Sequence, residues 1–570
     1  MEPASPIVAQ LHKALTEEFR SKQAPDLNTD SLEAARSNLD KDIEAAELAF
    51  RAYEAYASRE LEALRLRRNQ LVPISRLPNE ILSSAFCFAV WGLNRYTASI
   101  QSLFTISSVC RAWRDVALQS PRLWTRLERL PLPLFSLLLT RSKQAPLDIV
   151  FDQEFERLTG ESALSEYIAL ISQHARQWRT LIFCFPSFDE IMPLLPLPAT
   201  HLKVLVLDCG SPLDVHGSDS LELFPHPFAD HTPNLRELTL GAIFVPFTHP
   251  IYSNLVKLDI KNIEYGKLDS MKEFFQVLEA SPLLEDLSLR FLVLSFPSVA
   301  GPSGLVSLPR LRALKLVFLQ PIWAPAYFLS HLSVPSSAYL EIIGDTELGN
   351  DMSTILPPYS STHRNLPNLS SITTLSIHVQ DCTCAVRGSA LEEELFFFEF
   401  VGDSLEDLET IVSSLGRVFP MPSLDSVFFL DFHLEVSDEA NLELATACRE
   451  FLVRHPTIKD LAFYDSHQSM LEILSTATPS LVCPQLESLI IERCPLSPKR
   501  LFDAVELRTT PRIAKAKDGG GSDSEMSNKC LLLVDIRGCP QFTKTHLSKL
   551  RKRVKVAYKK KAPRYSDESE

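Results

Sequence analysis

Between residues 30 and 71 the apolar positions keep a seven-residue rhythm, and no Gly or Pro interrupts it. Leu32, Leu39, Ala46 and Tyr53 form one stripe. Ile43, Phe50, Ala57 and Leu64 form a second, each four residues beyond a position of the first repeat. This pattern predicts one amphipathic helix of about 40 residues, roughly 60 Å long if straight. Asp30 or Ser31 suits its start, and Glu33 and Glu44 suit its early turns. The stripe fits a coiled-coil or homodimer seam; the alternative is a helix lying on its own domain. Ala46, Ala57 and Glu60 dilute the seam, and Leu61 falls out of phase. Residues 1–29 are polar with three Pro, and read as a disordered arm.

Residues 72–127 change rhythm. Pro78 opens a helix with Asn79 and Glu80 behind it, and Ile81, Leu82, Ala85, Phe86 and Ala89 give it a face. A second helix is expected from about Leu103 to Leu118, with Val109, Trp113 and Val116 on one side and Arg111, Arg114 and Asp115 outward. A short third segment centres on Leu123 and Trp124. Three short helices in so few residues make a thin core that leaves apolar surface for a partner or a neighbouring domain.

The residues Leu77-Pro78-x-Glu80-Ile81-Leu82, then Phe86, then Val109-Cys110-Arg111-x-Trp113-Arg114, then Leu123-Trp124 resemble the F-box in order and spacing. The polar stretch Gly92–Ser102 is longer than that pattern asks for. A long helix running into an F-box also resembles a large group of fungal F-box proteins. The resemblance implies docking to the Skp-type adaptor of a cullin–RING ubiquitin ligase. Carried over by position, the adaptor contacts would be Leu77, Pro78, Ile81, Leu82, Phe86, Val109, Cys110, Trp113 and Trp124. Each also reads as internal packing, and Cys110 reads as a small buried hydrophobe.

From residue 128 onward an apolar-x-x-apolar-x-apolar pattern recurs. It runs at Trp178–Phe183, Leu202–Leu207, Leu235–Leu240, Leu255–Ile260, Leu284–Leu289 and Leu311–Leu316. It returns at Ile372–Ile377, Leu424–Phe429, Ile458–Phe463, Leu486–Ile491 and Leu531–Ile536. A stricter form beginning with Pro occurs at Pro233, Pro282, Pro422, Pro456 and Pro484, where chance gives roughly one occurrence. The last two units run on to Cys494 and Cys539, and so resemble the leucine-rich repeat with Cys at its Asn/Cys position. The resulting fold class is an α/β leucine-rich-repeat-like solenoid of short parallel strands plus helices over residues 128–565, preceded by the all-α F-box and the long helix.

Strand alternation points Leu238 and Leu240 inward. It points Glu237 and Thr239, Lys257 and Asp259, Asp286 and Ser288, Ala313 and Lys315, Asp460 and Ala462, and Ser488 and Ile490 outward. Glu237, Lys257, Asp259, Asp286, Lys315 and Asp460 are thus the candidate target-binding residues on a mildly acidic face. A divergent unit is expected near Ser337–Ile342. The run around Glu392–Glu394 and the following Phe residues reads as an amphipathic helix or a strand pair. Residues 512–529 read as a flexible loop.

Composition narrows the function classes. Apolar residues are 45% and charged residues 22%, with 39 Pro and only 17 Gly, which argues against folds built on glycine phosphate loops. A net charge of −14 disfavours generic binding of nucleic acid or anionic membrane, and no apolar run is long enough to span a bilayer. Nine basic residues crowd Lys549–Arg564 without an acid, as a nuclear-import patch or as a solvated helix face and tail. The 11 Cys include no CxxC, and the N-terminus has no signal pattern, so reduced thiols and a cytoplasmic or nuclear location are expected. No GxSxG, HExxH or GxGxxG appears, and His226 and His231 lack a ligand framework. No enzyme activity, cofactor or metal is therefore expected.

The expected function is that of a substrate-receptor subunit of an SCF-type cullin–RING ligase, its F-box docking the Skp-type adaptor and its solenoid recruiting an unidentified target protein, with the adaptor and the cullin scaffold as partners. The alternative is a non-catalytic leucine-rich-repeat scaffold with helix 30–71 as its dimer seam.

Overall fold

The computed structural model describes residues 10, 13, 17 and 29–560, apart from 92–99, 129, 152–160, 185–193, 195, 210–226, 266–269, 297–303, 346–351, 359–363, 381–382, 403–404, 419–420, 433–437, 476–480 and 510–530. The expected arm 1–29 (all but its last residue and three isolated positions), the loop 512–529, most of Gly92–Ser102, His226 and Lys561–Arg564 lie outside the described residues. The chain divides into two compact units, Met1–Leu123 and Trp124–Glu570.

The first unit is helical. Helix α1 spans Thr29–Gln70 without a break over 42 residues. A short 3-10 turn at Pro73–Arg76 leads into α2 (Asn79–Trp91), α3 (Ile100–Val109) and α4 (Arg111–Gln119). The expected single helix Leu103–Leu118 is two helices, because Cys110 is extended (φ −160°, ψ 170°). Its Sγ accepts a hydrogen bond from the Trp113 amide at 3.5 Å, and its carbonyl accepts one from the Arg114 amide at 3.0 Å. Cys110 is therefore the N-cap of α4, half-exposed, and not the buried hydrophobe expected.

Among the described residues the second unit is a mixed α/β structure built on a 17-stranded sheet. Its strands are β1 (Arg126–Leu127), β2 (Leu147–Phe151), β3 (Trp178–Cys184), β4 (Val204–Asp208), β5 (Glu237–Gly241), β6 (Lys257–Tyr265), β7 (Asp286–Leu294), β9 (Ala313–Val317), β11 (Tyr339–Asp345), β12 (Thr374–Gln380), β13 (Thr383–Ala390), β14 (Glu393–Val401), β15 (Ser426–Leu430), β16 (Asp460–Tyr464), β17 (Ser488–Glu492), β18 (Leu533–Arg537) and β19 (Lys555–Lys559). Among the described residues two further strands, β8 (Val306–Ser307) and β10 (Leu332–Ser333), pair only with each other. Every one of the eleven repeated segments carries a strand, and the divergent unit carries β11. Strand β1 already pairs with β2, so the sheet begins before residue 128.

Neighbouring strands are parallel from β1 through β7, β9 and β11, and again from β12 through β15 to β19. Between these runs the hairpin β13–β14 is inserted, with β14 parallel to β11 and β13 antiparallel to both β14 and β12. The Phe run is thus a strand, with Phe396, Phe398 and Phe400 buried and the residues between them half-exposed.

Register aligns the apolar positions into continuous rows. Leu205, Leu238, Leu258, Leu287, Leu314 and Leu340 are successive partners, and all are buried. Leu207, Leu240, Ile260, Leu289, Leu316 and Ile342 form a second row. A backbone feature repeats with them. Ala242, Asn262, Phe291, Phe318, Asp431, Asp465, Arg493 and Gly538 all have positive φ. Each lies five residues beyond the first residue of β5, β6, β7, β9, β15, β16, β17 or β18. The chain leaves six of these strands by this left-handed step, while in β6 and β7 the step falls inside the strand, which runs on to Tyr265 and Leu294. The next residue is buried in every case, and in the last two units it is Cys494 and Cys539. Burial pushes the Cys494 thiol up to about 12, and its Sγ donates to the carbonyl of Glu492 at 3.3 Å.

One outward expectation fails. Ala462 is buried, because its cross-strand partners on the same face are the larger Phe428 and Ile490. The C-terminal reading also changes. The helix ends at Leu550, and Lys555–Lys559 form the edge strand β19. Lysines on an edge discourage further strand pairing.

Two stability measurements follow from this packing. Leu258→Ala should lose about 2–5 kcal/mol in equilibrium unfolding, while Lys257→Ala, on the opposite face of β6, should stay within about 0.5 kcal/mol of wild type. His455 is buried, with Nδ1 3.0 Å from the Phe451 carbonyl, and burial lowers its pKa. The unfolded chain therefore takes up the proton first as pH falls, so stability should drop as pH falls through the ordinary histidine range. Melting temperatures at pH 7.5 and 5.5 should show a smaller drop for His455→Phe than for wild type.

Candidate functional site

The first unit buries one narrow stripe and leaves other apolar residues outside. On α2 the stripe is Leu82, Phe86 and Val90, spaced four apart, whereas Ile81, Ala85 and Ala89 are exposed. Leu103 and Ile106 of α3, Val116 and Ala117 of α4, and Ser120 and Leu123 after it complete the buried set among the described residues. Phe86 is 3% exposed, and its ring lies 4.8 Å from that of the half-buried Trp113 at a 50° tilt. That contact joins α2 to α4. Arg114 Nε donates to the Ser107 carbonyl at 3.0 Å, satisfying an acceptor in the last turn of α3.

Pro78 stands directly before α2, and its carbonyl accepts from the amides of Ile81 and Leu82. Leu77 before it is extended, with ψ 141°, as a residue preceding Pro favours. Leu77 and Pro78 are exposed, Ile81 is 51% exposed and Val109 is 55% exposed. The nine motif positions therefore divide by burial. Leu77, Pro78, Ile81 and Val109 present surface; Cys110 and Trp113 are half-covered; Leu82, Phe86 and Trp124 are core. Trp124 belongs to the second unit and lies under the Arg141 guanidinium, 4.4 Å from the ring centroid. It has no surface to offer a docking partner.

Two exposed aromatics escaped the motif reading, Phe104 and Phe88, the latter 74% exposed. Phe88 lies seven residues after Ile81, two turns along the same face of α2, so the helical period carried a signal for it.

Residues 74–129 match the family model described as F-box-like. The chain thus carries an F-box-like domain directly after its long helix. The exposed Leu77, Pro78, Ile81 and Val109 all fall within the matched residues. A comparison of the whole chain with the curated proteins gives no match.

The outward face of the sheet is the second place where polar residues gather. Glu237, Lys257 and Asp286 are successive register partners on β5, β6 and β7. Asp259 and Lys315 lie in the next row, and Asp460 sits in the other run of parallel strands, on β16. Several of these charges are engaged within the sheet. Arg290 Nε and Nη2 donate to the Asp259 carboxylate at 3.3 and 2.6 Å, and Lys315 Nζ donates to Glu341 at 2.6 Å. Lys261 reaches Asp208 at 2.6 Å across β5, where a Cβ on Gly241 would overlap the Asp208 carboxylate. With Arg290, Lys261, Glu341, Asp208 and Glu264 counted, six acids face four bases on this stretch, many of them paired with one another. Burial raises the Asp460 carboxyl, whose oxygen accepts from Ser426 at 3.3 Å. On the same face Phe428, Leu430, Tyr464 and Ile490 form a half-exposed apolar cluster by register, which the choice of charged positions overlooked.

Among the described residues no three His, Cys, Asp or Glu are grouped to hold a metal ion, and no helix is long and apolar enough to cross a membrane.

The split of the motif has a measurable consequence. Ile81→Ser and Val109→Ser should change unfolding free energy by under about 1 kcal/mol. Phe86→Ala should cost about 3–5 kcal/mol, read by chemical denaturation of the full chain.

Proposed function

We propose that this chain is a substrate-receptor subunit of an SCF-type cullin–RING ubiquitin ligase. The observation that carries the reading is the F-box-like match at residues 74–129 together with apolar side chains left exposed within it. F-box domains bind Skp-type adaptors. Here Leu77, Pro78, Ile81 and Val109 would supply the contact, with Trp113 at its margin, while Leu82, Phe86 and the Phe86–Trp113 pair hold α2 and α4 in place. Apolar surface of this kind gains free energy only when a partner covers it.

The second unit would hold the target. We read it as a leucine-rich-repeat-like solenoid, supported by the buried leucine rows and by the left-handed step repeated at a fixed distance from eight strands. Its outward face offers Glu237, Lys257, Asp286 and the Phe428–Ile490 cluster to a protein partner. The chain's contribution to ubiquitin transfer is then proximity, since it places the target near a reactive group carried by another subunit.

Co-expression with a Skp-type adaptor tests this. Size exclusion should show one complex with the full-length chain and none with Ile81→Asp/Val109→Asp, although that variant melts like wild type. A well-folded wild-type chain that never co-elutes with the adaptor would refute the assignment.

A further inference from the structure

Helix α1 carries ten exposed large apolar side chains, and six of them, Leu32, Leu39, Ile43, Phe50, Tyr53 and Leu64, form one stripe, with Phe50 at 67%. An apolar stripe this long is left in water only at a steep cost in hydration. In heptad terms Arg36, Ile43, Phe50, Ala57 and Leu64 occupy the a positions, and Leu32, Leu39, Ala46, Tyr53 and Glu60 occupy the d positions. The ion pair that ties α1 to the F-box-like helices lies elsewhere on its circumference. Arg111 Nη2 meets Glu62 at 2.8 Å, and Glu62 is an f position, opposite the seam. Asn69, another f position, is half-buried. Near its C-terminal end the helix therefore turns its f side to its own unit, while its a/d side is exposed along its length and Leu48, an f position farther back, is 69% exposed.

We infer that the a/d face of α1 pairs with the same face of a second copy of this chain, antiparallel and centred beside residue 48. Charge and size both select this arrangement. In the antiparallel register Arg36 faces Glu60 of the second copy, Leu32 faces Leu64, Leu39 faces Ala57, Ile43 faces Tyr53, and Ala46 faces Phe50. Each charged seam residue meets its opposite, and each alanine meets a large side chain. A parallel pairing sets Arg36 on Arg36 and Glu60 on Glu60, and it empties the Ala46 and Ala57 layers. The whole helix shows the same preference. Residues 29–49 hold six acids and two bases, and residues 50–70 hold five bases and three acids, so antiparallel packing lays the acidic half on the basic half.

The test is light scattering of the full chain with charge reversals at the seam. Wild type should scatter as twice 64.1 kDa. Arg36→Glu and Glu60→Arg alone should each weaken dimerisation by roughly 100-fold, since every dimer contains the pair twice. Arg36→Glu/Glu60→Arg should restore the dimer. Both single changes suit the helix dipole, with acid near the N-terminus and base near the C-terminus, so lost helicity would not explain a monomer. Circular dichroism of each variant checks that point. A monomeric wild type, single variants that dimerise like wild type, or a double variant that stays monomeric would each overturn the inference.

Discussion

Strand register governs most of this chain. Parallel pairing in fixed register stacks Leu on Leu from β4 to β11, and a slip of one residue on any strand would turn its leucines outward and its charges inward. The inserted hairpin respects the same constraint. Two antiparallel strands enter together, so β11 and β12 keep a common direction and the apolar rows continue on either side. The cross-strand ion pairs on the outward face follow from that alignment and add specificity more than energy, since most are partly exposed.

The helical unit obeys the opposite economy of burial. The helices after α1 are short, and α2 commits only Leu82, Phe86 and Val90 to the interior. The Phe86–Trp113 contact fixes α2 against α4, and the extended Cys110 sets where α4 begins. What remains apolar, at Leu77, Ile81, Phe88, Phe104 and Val109, is surface. A domain with so little interior is suited to adding a partner's surface to its own.

Strand positions were legible because each strand buries alternate residues of a recurring motif and Pro precedes many of them. The hairpin was ambiguous because three consecutive Phe residues satisfy both a helix and a strand. The left-handed steps were hidden, since only Gly538 among the eight is a glycine, and Ala242, Phe291 and Arg493 give no local hint of positive φ. Ala462 misled because its burial depends on neighbours from other strands. In the F-box-like domain the motif was plain, yet motif letters do not separate core from surface. Leu82 and Ile81 are adjacent and alike in chemistry, and only the helical phase set by Phe86 and Val90 assigns one inward. Trp124 is core in the second unit, with Arg141 over its ring, a contact the motif letters do not carry.

Amide hydrogen exchange of the full chain, with and without a Skp-type adaptor, reads the docking surface most directly. Slowed exchange confined to peptides covering residues 77–91 and 100–119, with the sheet unchanged, is the result this account predicts. Protection that appears on the strands of the second unit and leaves residues 77–119 unaffected would contradict it.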